Sequence, residues 1–360
     1  MKKYTGLALV AALWLGLAAF AWLSPARAVS DAERRPLAQF PGLTAQEVLS
    51  GGFSSDFADY AVDQFPLRDS FRSLKAALSY YVFCQKDNNG IYLTGSTAAK
   101  MEYPLNEASL RNAAGRFNAL YETYLKDAAK VHFAVIPDKG YYLAEQTGHL
   151  TLDQQVLTQT LKQALPWAQF FSLEDSLTAD SYYPTDTHWR QEALTPVLER
   201  IREVLGLEGS VSFTSNTLPE PFYGVYLGQA ALPLEPDRIT YLTWEGWEDC
   251  TVWSLDTGKT TPIYDPEKRT SADLYDFFLS GGMALQVIEN PHAEGELIVF
   301  RDSFGSSLVP LLVPHFGKIT LIDTRYIHPA LLESYVNFEG KQVLMLYSTL
   351  LLNSSGALRK

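Results

Sequence analysis

The stretch ELIVFRDSFG, residues 296–305, joins a short apolar run to a polar turn and then to the start of a second apolar segment. The predicted strand Glu296–Phe300 contains the continuous apolar run Leu297–Phe300, which is typical of a strand in a parallel sheet covered by helices. A helix is predicted around Phe304–Leu312, and another strand at Lys318–Asp323. This order of strand, helix and strand predicts an α/β fold with a mostly parallel sheet flanked by helices.

The same alternation of helices and strands continues on both sides of this stretch. Apolar positions at helical spacing and short apolar runs predict the further elements. The predicted helices are Asn106–Asp127, Leu152–Leu165, Trp189–Leu205 and Pro329–Tyr335, and the predicted strands are Ile91–Thr94, Val131–Ile136, Ala168–Leu173 and Gln342–Tyr347. One α/β domain over residues 53–360 accounts for this pattern.

Two regions inside that range depart from the alternation. Residues 53–83 carry aromatic and apolar positions at helical spacing on both sides of Pro66, which removes a backbone donor, so this region predicts a helical hairpin. Residues 218–291 contain prolines, glycines, tryptophans and short alternating runs in place of long helices. They predict a β-rich insertion in the α/β domain.

The N-terminus carries an export signal. Lys2 and Lys3 precede an uncharged apolar run, Thr5–Leu23, which is followed by the small-x-small motif Ala26–Ala28. This pattern predicts that residues 1–28 are either a signal peptide cleaved after Ala28 or a retained membrane anchor, and the sequence leaves both open. Residues 29–52 are polar and contain proline, which predicts a tether. The protein is therefore expected outside the cytoplasm, with membrane contact if the segment is uncleaved.

Composition excludes several classes of function. The formal net charge is −12 and no basic cluster is present, which argues against a nucleic-acid partner. The two cysteines, Cys84 and Cys250, are far apart in the sequence, and whether they pair stays open. The six histidines are scattered without ligand spacing, so no metal site is expected. No phosphate-binding glycine pattern occurs, and no cofactor is expected.

The motif Thr185-Asp186-Thr187-His188-Trp189 is the first candidate for chemistry. Residues two apart in an extended segment point the same way, so Asp186 can orient the ring of His188 and leave its other nitrogen free as a general base. The alternative is that Asp186 caps a helix beginning at Trp189 while His188 only packs.

The second candidate is Ser303, in the turn after the strand that ends at Phe300. Sites in open α/β sheets lie at the carboxyl ends of strands, and backbone N–H groups at the start of the next helix can stabilise an oxyanion. The alternative is a helix cap formed by Asp302 or Ser303. Together with Asp186 and His188, Ser303 completes a set of nucleophile, base and orienting residue.

These motifs resemble those of the DHHW family. The resemblance rests on Asp-x-His-Trp at Asp186–Trp189, Asp-Ser-Phe-Gly at Asp302–Gly305 and Asp-x-Arg-Tyr at Asp323–Tyr326. The segments Asp63–Asp69, Asn89–Gly95 and Pro137–Lys139 also fit. The family is similar to SGNH-hydrolase-like proteins that O-acetylate alginate and other exported polysaccharides. Thr187 departs from the pattern, because it stands where the family name has its first His.

The resemblance implies an SGNH-like fold and a catalytic triad of Ser303, His188 and Asp186. It implies an O-acetyltransferase or acetylesterase that acts on a cell-envelope or exported polysaccharide through an acetyl-serine intermediate. The expected partners are a polysaccharide acceptor and an acetyl donor, with a membrane protein that exports acetyl groups as a further candidate. The expected substrate-binding residues are Trp189, Arg325, Tyr183 and Lys139.

Two other functions remain open from the sequence. A non-catalytic, glycan-binding envelope scaffold could keep the same fold, since fold does not imply function. A glycosidase that uses two carboxylates is less favoured, because no spacing of Asp and Glu singles out an acid and nucleophile pair.

Overall fold

The computed structural model describes residues 2–232 and 234–359, so Met1, Pro233 and Lys360, which the predicted ranges include, lie outside the described residues. The chain divides into two compact units. The first extends to Asn89 and includes a short segment beginning at Leu227, and the second consists of Gly90–Tyr226 and the chain from Leu234 onward. The α/β domain predicted to begin at residue 53 therefore begins at Gly90, because residues 53–89 make most of their contacts within the first unit.

The first unit is mainly helical. Its elements are α1 (Lys2–Leu23), β1 (Val29–Ser30), β2 (Arg35–Pro36), α2 (Ala45–Ser50), α3 (Gly52–Asp63) and α4 (Arg68–Ala77), which continues as a π-helical turn at Leu78–Val82. The break between α3 and α4 contains Pro66, whose ring cannot continue a helix because it lacks the N–H donor. The predicted split into two helices at this proline is confirmed, whereas their packing as a hairpin stays a prediction.

From Tyr4 to Leu23, helix α1 is apolar and long enough to cross a membrane. The motif that follows it is ordered. The side chain of Gln64 accepts a hydrogen bond from the backbone N–H of Arg27 and donates one to the backbone oxygen of Arg27, each at 2.9 Å. The carbonyl of Ala28 accepts from the N–H of Leu37 at 2.9 Å. This segment is part of the folded first unit, and its service as a signal or as an anchor stays a prediction.

The tether predicted for residues 29–52 instead folds within the first unit. Strands β1 and β2 pair antiparallel. The carboxylate of Asp63 accepts two hydrogen bonds from the Arg35 guanidinium, at 2.6 and 2.8 Å, and one from the N–H of Ala38 at 2.9 Å. This bidentate pair lowers the pKa of Asp63 to about 2, chiefly through the hydrogen bonds from Arg35. The polar composition of residues 29–52 therefore reflects side chains such as Arg35, which pairs with Asp63, and not a solvated linker.

Beyond Asn89 the elements are β3 (Ile91–Thr94), β4 (Thr97–Lys100), α5 (Glu107–Leu120), β5 (Lys130–Ile136), α6 (Lys139–Thr147), α7 (Gln154–Ala164), β6 (Gln169–Phe170), α8 (Thr195–Leu205), β7 (Thr214–Phe222), α9 (Val225–Ala230), β8 (Asp237–Thr243), β9 (Thr251–Ser254), β10 (Thr260–Thr261), β11 (Leu285–Glu289), β12 (Glu296–Arg301), α10 (Gly305–Leu312), β13 (Lys318–Ile322), β14 (Gln342–Ser348) and α11 (Thr349–Asn353). Side-chain caps start α5, α6 and α7: Asn106, Asp138 and Asp153 each accept from a backbone N–H of the first turn.

Eight strands form one sheet in the order β10-β9-β11-β13-β12-β14-β5-β6. The pairings from β13 through β12, β14 and β5 to β6 are parallel, and those of β11 with β13 and of β9 with its two neighbours are antiparallel. Alternate residues of β12 enter two separate cores. Leu297 and Val299 pack with α8 and α10, whereas Ile298 and Phe300 pack with α5 and α7. The predicted α/β fold with a mostly parallel, helix-covered sheet is confirmed.

The region predicted as a β-rich insertion, 218–291, is not a separate module. Strands β7 and β8 form a pair of their own, but β9, β10 and β11 extend the large sheet. These strands run antiparallel to their neighbours, so they need no α-helical crossover between them. The short alternating runs of residues 218–291 therefore include strands that continue the large sheet in antiparallel orientation.

Several predicted boundaries also change. The helix predicted from Trp189 begins at Thr195, with Pro196 in its first turn, where a missing N–H is tolerated. The strand predicted at Ala168–Leu173 is reduced to β6, and the helix predicted at Pro329–Tyr335 is a 3₁₀ segment, Pro329–Ser334. Helix α6 was not predicted, because glycine and two tyrosines weaken its helical pattern. Cys84 is exposed and Cys250 buried, and both are free thiols.

We expect acid to destabilise the wild-type chain more than the variant Asp63→Asn. The ionised carboxylate is preferred in the folded state down to about pH 2, whereas an unfolded Asp protonates near pH ~4. The contribution of the ion pair is therefore complete above pH ~4 and is lost as the pH falls toward 2. The melting temperature, measured between pH ~4 and pH ~2, should fall less steeply with falling pH for Asp63→Asn than for wild type. Equal slopes for wild type, Asp63→Asn and the exposed control Asp59→Asn would contradict this.

The variant Phe133→Ala should lose about 3–5 kcal/mol in free energy of unfolding. The Phe133 side chain is fully buried in β5 and packs on the rings of Phe117, Phe170 and Tyr347. Its removal leaves a cavity between the sheet and α5. Urea unfolding of Phe133→Ala and of the control Tyr335→Ala, where the ring is 48% exposed, measures the difference. A loss similar to that of the control would contradict the buried position of Phe133 in the core.

Candidate active site

The Asp186 carboxylate holds the His188 ring in one orientation. One oxygen, Oδ1, accepts from the backbone N–H of His188 at 2.9 Å and lies 2.6 Å from ring atom Nδ1. The other, Oδ2, accepts from the N–H of Val225 at 2.7 Å. Asp186 has no exposed surface. With the carboxylate on Nδ1, the neutral ring carries its hydrogen there and leaves Nε2 as an acceptor.

The other ring nitrogen faces Ser303. His188 Nε2 lies 2.8 Å from Ser303 Oγ, although the two residues are 115 positions apart. Ser303 follows β12 in a turn, and it is partly exposed while its neighbours Asp302 and Phe304 are buried. The structure thus brings Asp186, His188 and Ser303 into one hydrogen-bonded chain that ends at an accessible hydroxyl.

Asp302 fixes the turn that presents Ser303. Its Oδ1 accepts from the N–H of Phe304 at 3.1 Å, and its Oδ2 accepts from the N–H of Ser348 at 2.8 Å. Ser348 ends the neighbouring strand β14, so the carboxylate connects the carboxyl ends of two parallel strands. Asp302 therefore caps this turn, as the alternative interpretation proposed, and Ser303 remains available to His188.

The alternative for Asp186 is wrong. Helix α8 begins nine residues after it, at Thr195, so Asp186 does not cap that helix. Instead Tyr182 and Trp189 form an antiparallel bridge, and the N–H of Tyr183 donates to the carbonyl of His188 at 3.1 Å. This tight loop places the Asp186 and His188 side chains together.

Lys139 holds the loop that contains Asp186 and His188 through hydrogen bonds to its backbone. Its ammonium donates to the carbonyl oxygens of Tyr183, Pro184 and Asp186 at 2.8, 3.2 and 2.9 Å. The side chain is fully buried at the start of α6, directly after β5. Burial lowers the pKa of Lys139 to about 8, and the nearby carboxylates of Asp138 and Asp186 oppose that shift.

A second set of contacts holds Thr185. Its N–H and its hydroxyl both donate to Asp237 Oδ2, at 2.8 and 2.7 Å. The N–H of Gly224 donates to the Thr185 hydroxyl at 3.0 Å. A Cβ atom at position 224 would lie 2.2 Å from the Thr185 carbonyl oxygen, so only glycine fits this close approach. Val225, Asp237 and Gly224 were missed in the sequence, because they lie 39–52 positions from the motif that they support.

Three of the four predicted substrate-binding residues are buried. Trp189, Tyr183 and Lys139 have no exposed surface and so cannot stack on or grip a sugar in this structure. Trp189 instead donates from Nε1 to the Phe304 carbonyl and to Ser307 Oγ, both at 3.0 Å. The prediction that these three residues bind substrate is corrected, because their side chains are buried and pack beneath the loop that carries His188.

Arg325 is the fourth, and it lies at the edge of the buried region with 19% of its side chain exposed. Its Nε and Nη2 donate to the two oxygens of Asp323 at 2.9 and 2.6 Å. The fully buried Arg301 lies 3.9 Å from the same carboxylate and also donates to Ser306, Gly281 and Gln286. Burial lowers the pKa of Arg301. A role for Arg325 in substrate binding stays a prediction.

Within residues 2–232 and 234–359, no group of three or more His, Cys, Asp or Glu side chains is arranged to hold a metal ion. The chain of Asp186, His188 and Ser303 can transfer a proton from the hydroxyl to the ring, which is the requirement for serine nucleophilic chemistry.

No protein-family model and no curated protein sequence matches the chain. Among solved structures it is similar to a DHHW family protein from Eubacterium siraeum, with a TM-score of 0.57 and 19% identity, covering 75% of this chain and 94% of that one. It is similar to Bacillus cereus PatB1, solved with a sulfonyl adduct, with a TM-score of 0.56 and 17% identity, covering 73% and 95%. The O-acetyltransferase domain of Pseudomonas putida AlgJ is more remote, with a TM-score of 0.42 and 13% identity, covering 73% and 92%. The chain thus shares the fold of the DHHW family protein and of PatB1, and the predicted similarity is confirmed.

The variant Lys139→Met should loosen the loop that carries Asp186. Three carbonyls lose the hydrogen bond from the ammonium, and a hydrogen bond that involves a charged group contributes about 1.5–3 kcal/mol. We expect a lower Tm and faster hydrogen exchange at the N–H of His188, while the exposed-surface control Lys162→Met behaves as wild type. Unchanged exchange in Lys139→Met would show that the loop does not depend on the ammonium.

Proposed function

We propose that this protein is an exported serine acyl-transfer enzyme, a polysaccharide O-acetyltransferase or acetylesterase. The observation that carries the proposal is the hydrogen-bonded chain from Asp186 through His188 to Ser303. The acetyl group and the polysaccharide follow from the resemblance of its motifs to the DHHW family. The fold shared with a DHHW family protein supports that resemblance.

In the first half-reaction His188 Nε2 takes the proton from Ser303 Oγ as Oγ attacks the carbonyl carbon of an acetyl donor. Asp186 stays ionised and stabilises the imidazolium that forms. The bond between the acetyl carbon and the leaving group then breaks, and the leaving group takes the proton from Nε2. An acetyl-serine ester at Ser303 remains.

In the second half-reaction an acceptor hydroxyl gives its proton to His188 Nε2 and attacks the ester carbonyl. Its bond to the acetyl carbon forms as the bond to Ser303 Oγ breaks, and Oγ recovers the proton. A sugar hydroxyl as acceptor makes the protein a transferase, whereas water makes it an esterase. The outcome depends on how well the site excludes water and positions the sugar.

The negative oxygen formed in each step needs a donor. Among the hydrogen bonds of the described residues, none uses the backbone N–H of Ser303, whereas the N–H of Phe304 is engaged by Asp302 and that of Gly305 by the Asp302 carbonyl. The Ser303 N–H is therefore our candidate for one oxyanion donor.

The proposed setting is the outer side of the cytoplasmic membrane, with α1 as signal or anchor. An apolar helix at the N-terminus supports export but not the choice between the two. The polysaccharide acceptor, the acetyl donor and a membrane partner that exports acetyl groups belong to the same proposal. Arg325 is the candidate contact to the sugar.

The variant Ser303→Ala tests this function in the full-length protein held in detergent. With p-nitrophenyl acetate as donor, intact mass spectrometry should show one added acetyl group on wild type, mapped to Ser303 and absent from Ser303→Ala. Release of p-nitrophenol should fall at least about a thousandfold. His188→Gln should fall similarly, while the exposed-surface control Ser354→Ala should match wild type.

The same samples separate an enzyme from a glycan-binding scaffold. Adding candidate polysaccharide should remove the acetyl group from wild type, and acetylated sugar in the product identifies a transferase. If wild type and Ser303→Ala label alike, or neither labels, while both retain glycan binding, the enzyme proposal is overturned and the scaffold takes its place.

A further inference from the structure

The His188 ring lies flat against the ring of Tyr275. Their centroids are 4.0 Å apart and the planes differ by 11°. The Phe304 ring also contacts the imidazole, at 5.0 Å and 56°. Tyr275 is only 3% exposed. Asp186 therefore fixes one edge of the imidazole, and the stacked tyrosine fixes the plane in which it lies.

The hydroxyl of Tyr275 connects this ring to the helix that follows the serine. It lies 2.8 Å from Ser307 Oγ, which also accepts from Trp189 Nε1 at 3.0 Å. Ser307 belongs to α10, which begins two residues after Ser303. The Tyr275 side chain thus contacts the base through its ring, and it contacts the helix that follows the nucleophile through its hydroxyl.

The position of Tyr275 is itself fixed by its backbone. Asp273 caps the 3₁₀ segment Leu274–Phe277, and its Oδ1 accepts from the N–H of Tyr275 at 3.0 Å. Burial raises the pKa of Tyr275 above its ordinary value, so its hydroxyl is protonated at neutral pH. The ring face that His188 meets is that of a neutral phenol.

A neutral aromatic face carries partial negative charge and attracts a cation above it. When His188 takes the proton of Ser303, its ring becomes such a cation, in parallel contact with the Tyr275 face. The stack is thus stronger after proton transfer than before it, which lowers the barrier to transfer.

We propose that Tyr275 is a positioning residue, which holds the His188 ring in the plane that faces Ser303 and stabilises that ring when it is charged. This rests on the proposed serine chemistry. No predicted motif contains Tyr275, and it reaches the site from the region 218–291.

A purely structural role is the alternative that the experiment must separate. Tyr275 also packs on Phe278 at 5.2 Å within the core, so its loss destabilises the fold as well. Tyr264 is the matched control. It is a buried tyrosine of the same core, stacked on Phe277 at 5.5 Å, with a hydroxyl that donates to the Leu242 carbonyl.

The test compares Tyr275→Leu, Tyr275→Phe and Tyr264→Leu in the full-length protein, at a temperature where each is fully folded. The probe is phenylmethylsulfonyl fluoride, which modifies an activated serine, and mass spectrometry follows the adduct at Ser303. Tyr275→Leu should react roughly tenfold more slowly. Tyr275→Phe keeps the ring and should react within about threefold of wild type, and Tyr264→Leu should match wild type despite a lower Tm. Wild-type rates in Tyr275→Leu, or equal slowing in Tyr264→Leu, would overturn the proposal.

A second readout does not require any reaction. In protein labelled with ¹⁵N-histidine, the Nδ1–H proton of His188, held by Asp186, should give a slowly exchanging downfield signal in wild type and Tyr275→Phe. Tyr275→Leu should broaden or lose this signal, because the ring is free to tilt. If wild type is not modified at Ser303, the serine chemistry fails, and the signal alone then decides whether Tyr275 positions His188.

Discussion

The hydrogen bond between the buried Asp186 carboxylate and His188 is the interaction on which the rest of the site depends. A carboxylate removed from water is costly unless other donors replace its hydration. Here the replacements are the His188 ring, the backbone N–H groups of His188 and Val225, and the electrostatic influence of the Lys139 ammonium. The loop must adopt a shape that supplies these donors, and that shape directs His188 Nε2 toward Ser303.

The parallel sheet makes this arrangement available. The strands β5, β12 and β14 run in the same direction, so their carboxyl ends meet at one edge. Ser303 follows β12, Lys139 follows β5, and Asp302 hydrogen bonds to Ser348 at the end of β14. Each strand thus contributes one part of the support, and both faces of the sheet are covered by helices that hold the edge rigid.

Local patterns were reliable where the physical cause is local. Asp186 and His188 were expected to meet because they are two residues apart, and Pro66 was expected to split a helix because a proline lacks the donor. The helix predicted from Trp189 was wrong, because a bridge between Tyr182 and Trp189 competes with helix formation. The exposure of Trp189, Tyr183 and Lys139 was predicted wrongly, because all three side chains are buried and support the loop. An aromatic or basic residue beside a motif has the same sequence pattern whether it contacts a sugar or packs behind the site.

The sequence by itself determined the α/β class, the helix-covered strand before Ser303 and the pairing of Asp186 with His188, since periodicity and short spacing control these features. Only the tertiary structure decided that Ser303 meets a base 115 positions away, that Asp237, Gly224 and Val225 hold the Asp186 loop, and that Tyr275 stacks on His188. It also placed strands of the region 218–291 in the large sheet. These contacts join distant parts of the chain, and their geometry follows from how the strands are ordered and how the side chains fill the two cores, which residue spacing does not encode.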